Sequence, residues 1–242
     1  MAKREKLIFR RYELKYLVPT TLAPQLYELL TEYMTPDEYG KSVIQNIYYD
    51  TPDYRLIRRS IERPPYKEKL RLRSYGLANK DSTVFVELKK KFKGIVFKRR
   101  IALAYTAAQD YLDRRLPLAS PSQISKEIDY FMTLYNPLQP AVFLSYHREA
   151  YFSPIDSDFR ITLDSDILMR QKDISLSTGF YGQPILSTGT VLMEVKTTLG
   201  LPQWLREFLT QNHLYKTSFS KYGTAYNNII LPRQLGGTDH VA

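Results

Sequence analysis

Cysteine is absent from the 242 residues, which excludes disulfides, thiolate metal sites and cysteine nucleophiles together. Histidine is scarce: His147, His213 and His240 are the whole supply, too few and too scattered for a zinc site or a Ser/His/Asp triad. Neither G-x-x-x-x-G-K-[ST] nor G-x-G-x-x-G occurs. Any nucleotide phosphates must therefore be held by side chains and not by a glycine loop at a helix start. No apolar run reaches the roughly 18 residues that a membrane-spanning helix requires. The amino end, MAKREKLIFRRYELKY, is broken by charges before an apolar signal core can form. A soluble cytoplasmic protein is the expectation. No Pro/Gly/Ser-rich linker, fixed-period repeat or low-complexity run divides the chain, so one domain over residues 1–242 is expected, with short flexible tails at 1–6 and 233–242.

What is present is folded-protein composition, 43% hydrophobic with 20 tyrosines, and positive charge in one place. The net charge is +10, yet Arg55 to Arg100 alone holds 16 Lys/Arg against 4 Asp/Glu. The rest of the chain is close to neutral, so one region faces a polyanion. Nucleic acid, an acidic membrane surface and phosphate-rich small molecules all fit charge alone.

Period-two apolar patterns mark strands at 10–18, 42–50, 69–75, 84–91, 95–103, 141–151, 159–163 and 191–197. Helices are expected from Thr21 to Tyr33, from Thr106 to about Leu116, from about Ser120 to Tyr135, and after Pro202. Thr106 with Gln109, and Ser120 with Pro121 and Gln123, resemble helix-start signals. Gly76 and Gly94 stand where hairpin turns belong. Eight strands with few helices imply an α+β protein built on an antiparallel sheet, here expected to close into an eight-stranded barrel with flanking helices.

The alternation then sorts charge by face. In VFVELKKKFKGIVFKRR, Val84, Val86 and Leu88 point one way, and Glu87, Lys89 and Lys91 the other. Lys69, Arg71 and Arg73 share a face opposite Leu70 and Leu72. Glu-x-Lys occurs three times in strand patterns, as Glu13/Lys15, Glu87/Lys89 and Glu194/Lys196. Alternating Lys and Glu is ordinary on the solvated face of an antiparallel sheet. Agreement among many strands, and Arg at 71, 73, 100 and 148, where bidentate grip on phosphate matters, favours a basic interior instead. A triphosphate carries about four negative charges, which cations on a rigid strand frame can match. Carboxylates beside phosphate make sense when a divalent metal bridges them, so Glu13, Glu87 and Glu194 are candidate ligands for Mg²⁺ or Mn²⁺. Tyr12, Tyr16, Tyr48, Tyr49 and Tyr146 could stack on adenine, but packing within the sheet is the simpler reading. Trp204, on a helical apolar stripe, reads as core.

ELKYLVP (13–19), IYYDTPDY (47–54), LRLRSYG (70–76), VELKKKFKGIVFKRR (86–100), YHREAY (146–151), RITLD (160–164), LMEVK (192–196) and SFSKY (218–222) occur in this order. Together they resemble the catalytic, polyphosphate polymerase domain of the vacuolar transporter chaperone family, within the CYTH or triphosphate tunnel metalloenzyme superfamily. The resemblance covers about residues 8–230. It implies a tunnel-forming barrel that moves the γ-phosphate of ATP to a growing polyphosphate chain with a divalent metal, usually Mn²⁺. Carried over motif by motif, Lys15, Arg71, Arg73, Lys89 and Lys98 would bind phosphates, and Arg148 would add a further clamp. Glu194 would hold the metal, and Ser220 with Lys221 would close one tunnel end. Arg100 and Lys196 share the tunnel-facing parity and are added as substrate-binding residues. Eukaryotic members carry a phosphate-sensing domain and a membrane-spanning domain; neither pattern is found in these residues, and a stand-alone bacterial protein is expected.

The residues leave three readings within this fold, besides a nucleic-acid module as a class of its own. One is the polymerase; another is an inorganic or nucleoside triphosphatase of the same fold, with water as acceptor. The third is a non-catalytic polyphosphate-binding protein, since some members keep the fold without polymerising. A nucleic-acid module is disfavoured because the repeated carboxylates would spoil its surface.

Overall fold

Residues 12–93 and 95–236 are described by a computed structural model. The expected tail at 1–6, residues 237–242 of the tail expected at 233–242, the first two residues of the strand expected at 10–18, and the Gly94 turn lie outside the described residues; Arg233 and Gln234, expected in that tail, instead end a helix begun at Leu231. In chain order the elements are β1 (Tyr12–Pro19), α1 (Ala23–Tyr33), β2 (Thr35–Pro36), β3 (Ser42–Asp50), α2 (Arg55–Ile61), β4 (Tyr66–Tyr75), β5 (Thr83–Phe92) and β6 (Ile95–Ala104). Then follow α3 (Tyr105–Leu112), α4 (Gln123–Leu134), β7 (Gln139–Phe152), β8 (Arg160–Arg170), β9 (Gln183–Pro184), β10 (Thr190–Thr197) and α5 (Gln203–Gln211). The chain ends in α6 (Lys221–Ala225), a π-helical turn (Tyr226–Ile230) and α7 (Leu231–Gln234).

Hydrogen bonding orders the strands β1-β10-β8-β7-β3-β4-β5-β6, with β2 on β7 and β9 on β8. The α+β class, the antiparallel pairing and the flanking helices are as expected. Closure is not: among the described residues β1 and β6 end the path, so ten strands form an open order in place of eight in a ring. Irregular chain bonds to β1 beyond its pairing with β10. Thr217 N–H donates to the Lys15 carbonyl at 2.8 Å, and Lys15 Nζ to the Phe219 carbonyl at 2.9 Å.

Two compact units divide the chain. The first takes Met1–Ser42, His147–Asp166 and Leu186–Phe219; the second takes Val43–Tyr146, Ile167–Ile185 and Ser220–Ala242. In the first, Leu26 and Leu30 of α1 and Leu205, Phe208 and Leu209 of α5 pack on Tyr16, Val18, Ile161, Met193 and Val195 of the strands. In the second, Ala108, Tyr111 and Leu112 of α3 and Ile128 and Phe131 of α4 pack on Leu70, Leu72, Val84, Val86 and Leu88. Each unit thus spends the apolar parity of its strands under helices, which leaves the charged parity on the opposite face.

Several local expectations change. Helix α4 starts two residues later than the Ser120 signal: Ser122 caps it, accepting from Ser125 N–H while the Ser125 hydroxyl accepts from Ser122 N–H. Thr106 caps nothing; its hydroxyl donates to the Lys80 carbonyl, and α3 stops at Leu112, where the next turn meets Arg115 at φ +60. Trp204 is half-buried and stacks on Tyr33, centroids 5.1 Å apart and 6° from parallel.

The missed helix α2 owes its start to a side chain five residues upstream. Asp50, fully buried, accepts from Thr51 and Leu56 N–H at 2.8 Å each, from Ile57 N–H at 3.0 Å and from the Tyr222 hydroxyl at 2.9 Å. The carboxylate therefore satisfies three backbone donors and ties α6 to α2. Burial pushes its pKa up, and these four hydrogen bonds oppose that. Asp50→Ala is expected to cost about 2–4 kcal/mol, since the buried amides and the Tyr222 hydroxyl all lose their acceptor. Urea unfolding monitored by circular dichroism checks it, with Asp50→Asn expected to recover part of the loss.

Candidate phosphate-binding site

In the second unit the registers β4–β5 and β5–β6 align three cross-strand rows on the charged face: Arg71–Glu87–Arg100, Lys69–Lys89–Lys98 and Lys67–Lys91–Val96. Successive rows are two residues apart, roughly 7 Å along the strands. The single acid in this ladder, Glu87, is 1% exposed. Arg71 donates to its Oε2 from Nε at 2.7 Å and approaches it with Nη2 at 2.6 Å. Arg100 Nε donates to Oε1 at 2.7 Å, and Lys98 Nζ lies 2.8 Å from the same oxygen. Arg73 Nε is 3.8 Å from Oε2. Burial alone would raise the Glu87 pKa, but Arg71, Arg73 and Lys98 outweigh it and hold the carboxyl far below the usual range.

This surrounds Glu87 with four cations, which differs from the metal-ligand role expected of it. A metal ion would have to displace those cations. Glu87 instead acts as the counter-charge that fixes three guanidinium groups and an ammonium on a frame with surplus positive charge. Other side chains complete the frame. Arg71 Nη1 donates to the Tyr48 hydroxyl at 3.1 Å, and Arg73 Nε to Asn46 Oδ1 at 3.0 Å. Asn46 in turn donates to the Leu144 carbonyl at 3.2 Å. Burial opposes ionisation of Tyr48, yet Arg71 and Lys69 bring its pKa down to about 8. Tyr48 is thus part of the charged cluster, as is Tyr146, whose hydroxyl accepts from Arg73 Nη2 at 3.5 Å, while Tyr16 and Tyr49 are buried in the packing and Tyr12 is exposed.

The SFSKY segment joins the same unit from Ser220 onward. Ser220 caps α6 by accepting from Gly223 N–H at 3.2 Å, and it accepts from Lys69 Nζ at 3.1 Å. Gly223 fits tightly there, since a Cβ would sit 3.2 Å from that of Ser220. Lys221 Nζ lies 4.5 Å over the Tyr146 ring.

The first unit carries the other two Glu-x-Lys pairs, and β1–β10 pairing crosses them: Glu13 faces Lys196 and Lys15 faces Glu194. Lys15 Nζ lies 3.0 Å from Glu194 and 3.3 Å from Glu13. The Arg148 fork grips Asp164, Nε to Oδ1 and Nη2 to Oδ2 at 2.6 Å each, and Nη2 also reaches Glu194 Oε2 at 3.3 Å. Arg148, expected as a phosphate clamp, is engaged with carboxylates and orients Glu194. Thr162 pairs with Glu194 across β10–β8, and its buried hydroxyl has no partner among the described residues. Three carboxylates and the three cations Lys15, Arg148 and Lys196 make this cluster formally neutral, unlike the basic frame of the second unit.

Burial, with help from Arg148 and Arg160 and against Glu13 and Glu194, brings the Lys196 pKa down to about 8. The unfolded chain, with its ordinary value of 10.5, holds this proton more tightly. The group's contribution to stability therefore rises as pH climbs from about 8 towards 10.5. The expectation that Lys196 binds substrate predicts the opposite trend for phosphate, because the cation is lost over the same climb. Tripolyphosphate affinity is expected to fall as pH rises through about 8 in the native protein and to stay flatter in Lys196→Arg. Calorimetric titration across that range measures it.

Metal fit divides along the same line. Among the described residues no group of three or more His, Cys, Asp or Glu could by itself hold a metal ion. Glu13 and Glu194 converge on one ammonium, with an unpartnered buried hydroxyl on the face of Glu194. That donor set suits Mg²⁺ or Mn²⁺, which take one or two carboxylates, keep waters, and complete their shell with substrate oxygens. Asn46, Tyr48, Lys69 and Asp164 were not among the predicted site residues. Lys69 shares the parity of Arg71, Asp164 ends the RITLD motif and Tyr48 lies in IYYDTPDY, where it reads only as a stacking or packing residue, but nothing local marks Asn46.

The Arg and Lys frame around Glu87 lies on an antiparallel sheet of an α+β fold. The VTC domain model matches residues 10–230, and the chain belongs to that family. It is 25% identical over 243 aligned positions to vacuolar transporter chaperone complex subunit 4 of Trypanosoma brucei brucei (strain 927/4 GUTat10.1) and 23% identical to that of Trypanosoma cruzi (strain CL Brener). Each match covers 85% of this chain and 30% of the relative, so the chain spans about a third of the length of these relatives. Among solved structures, a candidate adenylate cyclase from Bacillus halodurans superposes with TM-score 0.53 at 16% identity, covering 86% of this chain and 92% of that one. A candidate adenylyl cyclase from Hippeastrum, described as having a dominant triphosphatase activity, gives 0.54 at 16% identity over 93% and 96%. These likenesses establish the shared fold. No helix among the described residues is long and apolar enough to cross a membrane.

Proposed function

We propose that this chain is a metal-dependent polyphosphate polymerase using ATP. The carrying observation is the buried Glu87 held by Arg71, Arg73, Lys98 and Arg100. One carboxylate immobilises four cations whose charge it cannot neutralise, which leaves a pre-organised demand for a polyanion. Membership of the VTC family agrees with polyphosphate as that polyanion.

Arg71, Arg73 and Arg100 present guanidinium donors to phosphate oxygens, and Lys69, Lys89 and Lys98 add point charges one row further along the ladder. Ser220 and Lys221 are held to the same frame through Lys69 and Tyr146. Glu194 and Glu13 would hold Mn²⁺ or Mg²⁺, with Arg148 orienting Glu194 and with Lys15 and Lys196 balancing the carboxylates. A divalent ion bound there would neutralise phosphate charge as it shifts toward the leaving group. In the reaction the bond from the γ-phosphorus to the β,γ-bridging oxygen breaks, a bond to a terminal oxygen of the acceptor chain forms, and ADP leaves. No side-chain nucleophile is needed, because positioning and charge stabilisation supply the catalysis.

A triphosphatase, with water in place of the acceptor chain, is favoured by one observation: the fold-sharing Hippeastrum protein is described as dominantly a triphosphatase. Incubation with ATP and Mn²⁺ separates the readings. Long chains on a polyphosphate-stained gel, with ADP formed in step, support the polymerase. Free phosphate without chains assigns the hydrolase, and no turnover despite tight triphosphate binding assigns a binding protein.

A further inference from the structure

The end of the β5–β6 hairpin holds four large apolar side chains in the open. Phe92, Ile95, Val96 and Phe97 are 46%, 52%, 47% and 47% exposed, on strands that occupy one end of the sheet order. Register sorts them. Phe92 pairs with Ile95 and with Tyr66, and Lys90 pairs with Phe97, so Tyr66, Phe92, Ile95 and Phe97 share one face. Tyr66 meets Phe92 edge-on at 6.5 Å and is itself partly exposed. The opposite face at this level carries Lys67, Lys91 and Val96. Its cations crowd one another: burial first, then the like charges of Lys91, Arg63 and Lys89, push the Lys67 pKa down. At the turn, Lys93 Nζ lies 5.4 Å over the Phe92 ring. From Lys89 to Arg100 there are seven cations and no acid.

We propose that this hairpin end docks on an anionic lipid bilayer. Scattered exposed hydrophobes are normal, but a contiguous apolar group beside a surplus of cations marks an interaction surface; the two acids on this face are already engaged, Glu68 by the Tyr66 and Tyr135 hydroxyls and Glu127 by Lys90 and Arg99. Its partner must supply apolar depth and negative charge at the same place. Polyphosphate gives Phe92, Ile95 and Phe97 nowhere to bury, and nucleic acid offers base faces to the rings but no apolar depth for Ile95. A bilayer with anionic headgroups offers both: the rings and Ile95 enter the interface while Lys91 and Lys93, on long stems, keep their ammonium groups among the headgroups. The inference stands apart from the polymerase reading, since these apolar residues are outside the phosphate frame.

Co-sedimentation of the full chain with phosphatidylcholine vesicles, and with vesicles of equal parts phosphatidylcholine and phosphatidylserine, tests it. The native protein is expected to partition onto the mixed vesicles about tenfold or more above phosphatidylcholine alone. The double variant Phe92→Ser/Phe97→Ser is expected to lose about tenfold on mixed vesicles, with tripolyphosphate affinity and Tm kept. Lys93→Glu is expected to lose about fivefold. Undiminished vesicle binding by the double variant, reversed by tripolyphosphate, would overturn the proposal and assign headgroup capture to the basic frame. Failure of the native protein to bind either vesicle would also overturn it. So would a concentration-dependent dimer abolished by the double variant, which would assign the surface to a second copy of the chain.

Discussion

Glu87→Gln is expected to lower the unfolding free energy by about 3 kcal/mol and to reduce turnover by about two orders of magnitude, although it removes no side-chain volume. The native carboxylate is the only acid in its three-row ladder and lies within 4 Å of four cationic side chains. A neutral amide leaves Arg71, Arg73, Lys98 and Arg100 repelling one another with nothing to fix their donors. The loss falls at the lower end for a broken buried ion cluster because Lys98 and Arg100 reach solvent, at 44% and 35% side-chain exposure. Two readouts separate this from ordinary core damage. Tripolyphosphate should raise Tm more in the variant than in the native protein, since a polyanion replaces the missing counter-charge. Acid behaviour should change too. The Glu87 pKa in the fold is depressed below the ordinary 4.5. Its stabilisation is therefore full above that value and lost only as pH falls through the much lower folded value. The native protein should outlast the variant in mild acid by a margin that narrows at the acid extreme.

Arg71→Ala is expected to abolish measurable turnover, a fall of about a hundredfold or more in kcat/KM, with the chain still folded. Arg71 is half-buried and makes three polar contacts in the cluster, two to Glu87 and one to Tyr48. Its removal takes away one cation of several around Glu87, so Arg73, Lys98 and Arg100 still satisfy the carboxylate. Arg71→Lys tests whether charge or geometry matters: it keeps the charge but loses the planar fork, and only partial recovery is expected. Steady-state kinetics together with thermal unfolding decide the matter. Loss of fold, with normal specific activity in the folded fraction, would remove Arg71 from the site.

Much of the sheet is legible in the chain because period two is a strong signal where one face must bury. The strand at Ser42–Asp50 falls on its expected bounds, and the parity of Lys69, Arg71 and Arg73 follows from Leu70 and Leu72 entering the core. The three Glu-x-Lys pairs are equally visible, but what each pair faces is not. Antiparallel register crosses Glu13/Lys15 with Glu194/Lys196 into a balanced set, whereas Glu87 meets Arg71 on one side and Arg100 on the other. Identical local spacing thus yields a candidate metal site in one unit and a counter-charge in the other, because register is a long-range property. Helix α2 escapes for a similar reason. Its first turn is capped by Asp50 from the end of a strand, and Tyr54 precedes it at φ +58, a pattern no local start signal contains. Arg148 carries the same lesson: its motif marks it as important, but only the fold reveals Asp164 under its fork.

We propose that the cations around Glu87 hold the phosphates and that Glu194 serves the metal. Calorimetric titration of tripolyphosphate, with and without Mn²⁺, into the native protein and Glu194→Gln tests it most directly. Tight binding by the native protein, strengthened further by Mn²⁺, is expected. Glu194→Gln is expected to keep the metal-free affinity and to lose the Mn²⁺ increment. An increment that survives in Glu194→Gln, or a native protein that does not bind tripolyphosphate in either condition, would contradict it.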